Sequence, residues 1–339
     1  MLRWGVLGTS FISHTVAAAI NASTGSKVTA VFGRDPARLA SFADKFSIPR
    51  RFTSIDELVR DPDIDVVYVG LPSHLHAQAS IAAARAGKAV LSEKALTTTM
   101  ADARALVAAV EEAGVFFLEG LMYLSHPLMD KVAEVIRSGR LGTVRGVSGH
   151  YAANIWKKAN PLGMGTIYNL GCYPASLLHW VMQAAFGRTG TAADDRHHFR
   201  ARKVSALGNL SPDGTHVRDA ALTVRFDNGV LASIQSTDSL GNDFAFTVRG
   251  DKAALHFRTN PWLPPAGRSV MELKTFGAGA EEIVVESPLD AFGCQVKRVE
   301  ECLARGFKQA PRPSPTWGDS LEIMELLTEW ESAIFESSS

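Results

Sequence analysis

The stretch Ala89-Val-Leu-Ser-Glu-Lys-Ala-Leu96 decides how the chain is organised. It has the pattern of a buried strand that ends in an acid and a lysine, and the polar series 97–99 follows it. A strand of this kind directs Lys94 out of the carboxyl edge of a sheet, where ligands bind in open α/β proteins. Strand and helix alternate before this stretch, whereas strands dominate after residue 120. We therefore expect Lys94 near the junction of two domains, where small-molecule clefts tend to lie.

The composition is that of an ordinary globular protein. Lysine and arginine (35) balance aspartate and glutamate (35) in 339 residues that are 46% hydrophobic. This length allows two cores, and the zero net charge disfavours binding to nucleic acid or an anionic membrane. Cys172, Cys294 and Cys302 lack Cys-x-x-Cys spacing, which indicates a reducing compartment. Because no run of residues approaches the length of a membrane span, we expect a cytoplasmic protein.

A strand, a turn and a helix open the chain. The apolar run 2–7 leads into Gly8-Thr9-Ser10-Phe11-Ile12-Ser13 and an apolar helix. The dinucleotide fingerprint G-x-G-x-x-G would place glycines at positions 8, 10 and 13, and here only Gly8 remains, with small serines at the other two. The helix N-terminus would still suit a pyrophosphate. We predict cofactor contacts from Gly8, Thr9, Ser10, Phe11 and Ile12; an ordinary strand-to-helix turn is the alternative.

The end of the second predicted strand, 28–32, bears on the choice of cofactor. An acid there would accept the ribose hydroxyl of NAD. The chain instead continues Gly33-Arg34-Asp35-Pro36-Ala37-Arg38, with two arginines and no acid directly after the strand. Guanidinium groups bind phosphate and stack on flat bases. We therefore favour NADP, with Arg34 over the adenine and Arg38 or Arg34 at the 2'-phosphate. Solvated surface arginines are the alternative, and Asp35 keeps NAD possible.

The loop that follows the strand at 65–70 lies at the same predicted sheet edge. It reads Leu71-Pro72-Ser73-His74-Leu75-His76. We predict cofactor contacts from Leu71, Pro72 and His76, with His76 either lining the nicotinamide or capping the next helix. His74 and His76 have no third ligand nearby in the sequence, so no metal site is expected.

The alternation of elements predicts an α/β fold in two domains. Five strand–helix alternations over residues 1–120 predict a doubly wound parallel sheet of the Rossmann type. Residues 121–339 predict an α+β domain with a large, open, mainly antiparallel sheet, and the last helix, 317–335, could pack back on the first domain. The strand candidates of this part are 144–151, 203–210, 220–226, 230–236, 244–249 and 253–257. The free face of such a sheet suits a homodimer or a dimer of dimers.

A glycine-rich segment, Gly163 to Pro174, leads into the apolar helix 175–186. Asn169 and Tyr173 lie four positions apart, so they share one face if the helix begins this early. Tyr123, Tyr151, Asn154 and Trp156 could add a wall of aromatic and amide groups, which suits a sugar or cyclic polyol. Core packing is the alternative for the aromatic residues.

Together these segments resemble the glucose-fructose oxidoreductase and inositol dehydrogenase family, often written Gfo/Idh/MocA. The motifs that carry the resemblance are Gly8-Thr9, Leu71-Pro72-Ser73 with His76, Gly87-Lys88, Glu93-Lys94, Gly171 with Asn169 and Tyr173, and the run 319–325. The family's Glu-Lys-Pro motif stands here as Glu93-Lys94-Ala95. The resemblance implies that Glu93 and Lys94 contact the cofactor and that Lys94 also contacts the substrate hydroxyl.

The second family motif usually has Asp followed by His four positions later. Some sugar ketoreductases and dihydrodiol dehydrogenases of the family have Tyr in the second place. This chain has Asn169 and Tyr173, and so resembles the tyrosine branch with the acid replaced by an amide.

The resemblance implies hydride transfer between nicotinamide and a secondary alcohol or ketone of a sugar, cyclic polyol or cyclic diol. The predicted catalytic residues are Lys94, Tyr173 and Asn169, and all three are also predicted to bind substrate. Tyr173 would move the proton, because a lysine ammonium nearby favours the phenolate. Asn169 can orient a hydroxyl but cannot carry a proton. The alternatives are an NAD-dependent dehydrogenase of the inositol type and a non-catalytic dinucleotide-binding regulator or sensor, which the loss of the acid motivates.

Overall fold

The computed structural model describes residues 1–159, 163–187, 199 and 202–337. Contacts within the chain divide it into two compact units. The first unit comprises Met1–Ser125 and Ala291–Leu321, and the second comprises His126–Asp290 and Glu322–Ser339. This division places the segment 291–321 in the first unit. The domain boundary predicted at residue 120 assigned that segment to the second domain.

Within the described residues, the first unit contains a parallel sheet of six strands in the order β3-β2-β1-β4-β5-β6. The strands are β1 (Leu2–Leu7), β2 (Ser26–Phe32), β3 (Arg50–Phe52), β4 (Val66–Val69), β5 (Ala89–Glu93) and β6 (Phe117–Gly120). The helices of residues 1–120 are α1 (Phe11–Ala22), α2 (Pro36–Lys45), α3 (Ile55–Arg60), α4 (His76–Arg85) and α5 (Met100–Ala113). The predicted doubly wound parallel sheet is confirmed, with the order reversing between β1 and β4, which is where such sheets bind ligands.

The second unit is built on a sheet in which eight of the described strands follow the order β14-β13-β12-β11-β7-β10-β9-β8. Its strands are β7 (Val144–Ala152), β8 (Arg202–Leu210), β9 (Val217–Phe226), β10 (Leu231–Thr237), β11 (Asp243–Gly250), β12 (Ala253–Phe257), β13 (Gly267–Thr275) and β14 (Gly279–Ser287). The pair β7–β10 is parallel, and the remaining pairs are antiparallel. The predicted open, mainly antiparallel sheet is therefore confirmed, although β13 and β14 were not among the strand candidates.

The remaining helices are α6 (Pro127–Arg137), α7 (Trp156–Ala159), α8 (Cys172–Phe186), α9 (Ala291–Ala304) and α10 (Trp317–Ser337). Helix α9 belongs to the first unit because its Val296 and Val299 join the buried cluster around Trp4, Tyr68 and Leu91. Burial of one such side chain contributes about 1.5–3 kcal/mol, so α9 is an integral part of this core. In the described part of the chain, no helix is both long enough and apolar enough to cross a membrane.

In the part of the chain that the structure describes, the second sheet has one covered face and one exposed face. Helix α8 packs on β7 and β10. Along β10, Ala232, Ile234 and Ser236 are buried, whereas Leu231, Ser233 and Gln235 are exposed. Because side chains of a strand point alternately to the two faces, this pattern places α8 on the face that carries Ala232, Ile234 and Ser236 and leaves the opposite face of β10 exposed among the described residues.

Candidate active site

The turn after β1 supports a close approach of backbone to ligand. Gly8 has φ of +106°, and a Cβ on it would lie 2.7 Å from the carbonyl oxygen of Gly70, so only glycine fits. Ser10 caps α1, because its Oγ accepts from the Ser13 amide at 3.3 Å. The hydroxyl groups of both serines lie 3.3–3.4 Å from the Gly70 oxygen. Ser10 and Ser13 thus stand at two positions that are glycine in the fingerprint, and their hydroxyl groups bond to the Gly70 carbonyl oxygen. Because Gly70 has no side chain, it leaves room for these hydroxyl groups.

The first turn of α1 follows directly from this cap. Phe11 begins the helix and is 64% exposed, while Thr9 and Ile12 are half-buried. The α1 N-terminus offers backbone amides and the positive end of the helix dipole. The turn at Gly8 forms a cradle, which is the space that a Cβ on Gly8 would fill. Together with this cradle, the amides and the helix dipole fit the pyrophosphate of a dinucleotide.

Arg38 lies beside this turn. Its Nη2 donates to the Thr9 carbonyl oxygen at 3.1 Å, whereas Arg34 is exposed. Asp35 caps α2, since its Oδ1 accepts from the Arg38 amide at 2.9 Å. The structure thus places the Arg38 guanidinium at the predicted cofactor turn, while the Asp35 carboxylate caps α2. In α1, burial and the charges of Lys45 and Arg38 lower the pKa of His14, which sequence reasoning did not assign to this region.

His76 connects two loops of the first unit. The side chain is buried, with Nε2 2.8 Å from the Leu71 carbonyl oxygen and Nδ1 2.9 Å from that of Ala95. Burial and, to a smaller extent, the charge of Lys94 lower the pKa of His76, while the two carbonyl oxygens act in the opposite direction. The side chain caps no helix, and it ties the half-buried loop at Leu71 and Pro72 to the residue after Lys94.

Lys94 follows β5 and is half-buried, and the Lys94–Ala95 peptide bond is cis. Glu93, the last residue of β5, accepts from the Tyr68 hydroxyl at 2.9 Å. Burial raises the pKa of Glu93, and the Lys94 charge opposes this. Two features predicted from sequence, the strand end and the lysine that follows it, are therefore present together.

Glu119 is a second buried acid in this neighbourhood. The register of β5 and β6 pairs it with Ser92, one residue from Glu93. Burial raises the pKa of Glu119 to about 7, against hydrogen bonds from the Ser320 side chain and the Leu96 backbone. Sequence reasoning gave this acid no role. The signal was available, because Glu119 ends an apolar strand as Glu93 does.

Asn169 and Tyr173 lie in the second unit at the start of α8. Ile167–Gly171 forms a π-helical turn that continues into α8, so the helix begins earlier than the predicted residue 175. Both side chains are buried. Asn169 donates from Nδ2 to Oδ2 of Asp238 at 2.9 Å. Asp238 was not predicted from sequence, and its separation of 69 positions from Asn169 leaves no local signal.

Tyr173 belongs to a group of aromatic rings. Its ring centroid lies 5.4 Å from that of Tyr151, in edge-on geometry, and 6.2 Å from that of Trp262. Burial raises the pKa of Tyr151, and a hydrogen bond with the Asn260 side chain opposes this. The structure therefore brings Tyr151 and Tyr173 together and adds Trp262, which was not predicted.

The other predicted wall residues are more scattered. Trp156 begins α7 and lies under the Arg218 guanidinium, 5.1 Å from its Cζ to the ring centroid. Asn154 is exposed. Tyr123 lies in the first unit, in the turn Met122–Ser125, and is fully buried.

Comparison with known proteins identifies the family. Residues 2–121 match the model described as oxidoreductase family, NAD-binding Rossmann fold, and residues 129–256 match the GFO/IDH/MocA C-terminal domain. The chain belongs to the Gfo/Idh/MocA oxidoreductase family. The resemblance inferred from its motifs is confirmed.

Relatives of this family cover nearly the whole chain. An uncharacterized oxidoreductase of Rhizobium meliloti is 32% identical over 316 residues, covering 90% of each chain. The trans-1,2-dihydrobenzene-1,2-diol dehydrogenase of Bos taurus is 28% identical, covering 91% of this chain and 90% of the relative. Among solved structures, the 3-ketoreductase KijD10 of Actinomadura kijaniata in complex with NADP has a TM-score of 0.82 at 25% identity, covering 98% of this chain and 97% of KijD10.

Membership of this family shows which class of ligand the first unit binds. It is an NAD(P)-binding Rossmann unit, and the Gly8 cradle, the α1 N-terminus and Arg38 are residues that would hold such a cofactor. The second unit carries the Gfo/Idh/MocA C-terminal domain together with the acid, amide and phenol groups around α8.

Proposed function

We propose that the protein transfers a hydride between a nicotinamide cofactor, NADP in preference to NAD, and the carbinol or carbonyl carbon of a sugar, cyclic polyol or cyclic diol. The observation that carries the proposal is Lys94 at the carboxyl end of β5, beside two buried carboxyl groups and next to the peptide that His76 holds. The names of the diol dehydrogenase and ketoreductase relatives support the substrate class.

The chain's own residues would manage the proton. A nicotinamide held by the first unit would supply hydride chemistry. In oxidation the substrate's hydroxyl proton would pass to the Tyr173 phenolate, and in reduction the Tyr173 phenol would return a proton to the ketone oxygen. The Lys94 ammonium would stabilise negative charge on that oxygen and on the phenolate. Asn169 would orient the substrate through hydrogen bonds.

Arg38 supports the preference for NADP. A guanidinium that reaches the Thr9 carbonyl lies where the turn would meet the cofactor, and guanidinium groups bind phosphate bidentately. The Asp35 carboxylate caps α2, a use that competes with accepting the ribose hydroxyl of NAD.

The first experiment is a fluorescence titration with NADPH and NADH, followed by a panel of sugars, inositols, cyclic diols and their ketones. We expect tighter binding of NADPH and turnover of at least one panel member. Lys94→Ala should retain cofactor binding and lose about 10²–10⁴-fold in turnover, the range typical of a group that assists proton transfer. Lys27→Ala, at an exposed position in β2, is the matched control.

Two results would contradict the proposal. Near-normal turnover by Lys94→Ala would remove the lysine from the mechanism. Binding of a dinucleotide without turnover of any panel member would favour the regulator, and the absence of dinucleotide binding would remove the cofactor role of the first unit.

A further inference from the structure

The buried acid Glu119 has a fixed place at the edge of the first sheet. The register of β5 and β6 pairs it with Ser92, so these two side chains lie on one face of the sheet and that of Glu93 lies on the other. A Cβ on Gly120 would lie 2.9 Å from the Ser92 carbonyl oxygen and 3.2 Å from the Glu93 Cα, so the ends of β5 and β6 are closely packed. The two acids therefore stand on opposite faces of the sheet at the same edge.

The Glu119 carboxyl group holds the backbone that follows β5. It forms hydrogen bonds with the Leu96 backbone and with the Ser320 side chain. Because a carboxylate only accepts hydrogen bonds, the Leu96 amide and the Ser320 hydroxyl are the donors. Ser320 lies in the first turn of α10 and is also buried. Glu119 therefore connects the residues after β5 to the start of this helix.

Two further side chains hold the same short segment. The Lys94 backbone forms a hydrogen bond with the Glu93 carboxyl group, for which the amide is again the donor. The His76 Nδ1 lies 2.9 Å from the Ala95 carbonyl oxygen. With the bond to Glu119, three consecutive residues each have one backbone group fixed by a different buried side chain. The position from which the Lys94 side chain extends therefore depends on all three.

The charge of Glu119 changes the strength of its bond to the backbone. Burial raises the pKa of Glu119 to about 7; the charge of Glu93 raises it as well, and that of Lys94 lowers it. The other charged groups nearby on the first turn of α10 form the pair of Asp319 with Arg312, 2.8 Å apart. An ionised carboxylate accepts a hydrogen bond more strongly than a neutral carboxyl group does. The bond to the backbone therefore strengthens as the pH rises through about 7.

We propose that Glu119 is a positioning residue, which holds the Leu96 amide and so sets the place of the Lys94 ammonium during turnover. This rests on the proposed function, in which Lys94 stabilises negative charge on the substrate oxygen. A glutamine would also accept this bond, but it would not strengthen with pH. An acid that is costly to bury and that has a perturbed proton affinity is typical of a functional site.

The first test measures the hydrogen bond without any substrate. Glu119→Met removes the acceptor and keeps the length of the side chain, whereas Glu119→Gln keeps an acceptor. At pH 8 we expect hydrogen exchange at the Leu96 amide of the full-length protein to become about tenfold to a hundredfold faster in Glu119→Met. Exchange in Glu119→Gln should lie between that of Glu119→Met and that of the wild type.

Ser80→Ala is the matched control for a buried substitution in the first unit. Its hydroxyl, in α4, is buried and has no hydrogen-bond partner among the described residues. Exchange at the Leu96 amide and turnover should both match the wild type.

The second test is the dependence of kcat on pH for the best panel substrate. The wild-type kcat should rise as the pH passes through about 7, and Glu119→Gln should lack this rise because it cannot ionise. Glu119→Met should lose about tenfold to a hundredfold in kcat and bind NADPH within about threefold of the wild type. A residue that only supported the fold would lower the melting temperature and leave the pH profile of Glu119→Gln like that of the wild type.

The outcomes separate the two proposals. Unchanged exchange at the Leu96 amide in Glu119→Met, or a Glu119→Gln pH profile that matches the wild type, would overturn the role of Glu119 while wild-type turnover stands. If Glu119→Met does not fold, the pH profile of Glu119→Gln decides. A wild type that turns over no panel member would overturn the proposed function, and the exchange rates would still show whether Glu119 holds the backbone after β5.

Discussion

At the scale of single residues, Lys94 is notable because two acidic side chains near it are buried. Glu93 and Glu119 are both buried, and each has a raised pKa because burial penalises the charged form. The Lys94 charge opposes the shift of both groups. Because Lys94 acts on both acids and Glu93 acts on Glu119, a change of charge at one of these acids alters the proton affinity of the other.

Glu119 gives a prediction about stability and pH. Its pKa is about 7 in the folded protein against an ordinary value of 4.5, so the folded chain binds this proton more tightly. The contribution is present below about pH 4.5 and is lost as the pH rises through about 7. Between these values the wild type should lose up to about 3 kcal/mol relative to Glu119→Gln, which cannot ionise. Urea unfolding at several pH values measures this difference.

The control for this experiment is Glu112→Gln, at an exposed position in α5. It should follow the wild type at each pH. Parallel stability profiles for the wild type and Glu119→Gln would show that Glu119 is ionised with an ordinary affinity for its proton.

Sequence reasoning found site residues where one local feature marks them. Gly8 and Lys94 stand at strand ends, and strand ends of a parallel sheet share one edge, so their position follows from the pattern. Asp238 has no local sequence feature of this kind. Its partner, Asn169, lies on a different element, and the two meet through the packing of β10 against the π-helical turn. Pairs of this kind depend on tertiary structure, which periodicity does not report.

At the scale of elements, the predictions succeeded where alternation was clear and failed where it was obscured. Strands β13 and β14 were missed. Exposed glutamates at 281, 282 and 286 interrupt the apolar pattern of β14, which is the edge strand of its sheet. Charged residues on an edge strand discourage pairing with other chains, and Arg268 of β13 pairs with Glu282 across the two strands. The charged residues that protect the edge strand from pairing therefore also obscure its apolar pattern in the sequence.

The turn between β2 and α2 gives a prediction about the cofactor. Arg38 reaches the Thr9 oxygen, so its guanidinium is held beside the cofactor turn, whereas Asp35 is used as a cap. Arg38→Ala should weaken NADPH binding about tenfold to a hundredfold and leave NADH binding within about threefold, because only NADPH carries the 2'-phosphate. Titration of both cofactors measures the ratio of their dissociation constants.

Arg60→Ala, an exposed arginine at the end of α3, is the control for charge alone and should leave the ratio unchanged. An equal loss of NADPH and NADH affinity in Arg38→Ala would mean that this arginine supports the turn and does not read the phosphate.

At the scale of the whole molecule, the alternating strand–helix pattern corresponds to the first unit and the strand-rich pattern to the second. Each unit nevertheless consists of two separate segments of the chain. Helix α9 comes after the second sheet in the sequence and supplies Val296 and Val299 to the first core. The first turn of α10 also lies in the first unit, where the Trp317 indole donates to the Phe117 carbonyl oxygen at 3.2 Å. An apolar helix pattern shows that a helix will be buried, without showing which core will bury it.

The open face of the second sheet leads to the last prediction, a homodimer formed through this face. Leu207 of β8 is 69% exposed and Leu231 of β10 is 54% exposed, and exposed apolar side chains that share one sheet face are typical of a protein interface. We propose that a second copy covers them. Leu207→Glu combined with Leu231→Glu should then convert a dimer into a monomer in sedimentation velocity, with an unchanged circular dichroism spectrum. Phe276→Glu, at a position about as exposed as Leu231 but in the turn between β13 and β14, should leave the dimer intact. A wild type that sediments as a monomer at every concentration would show that the face is open to water in solution.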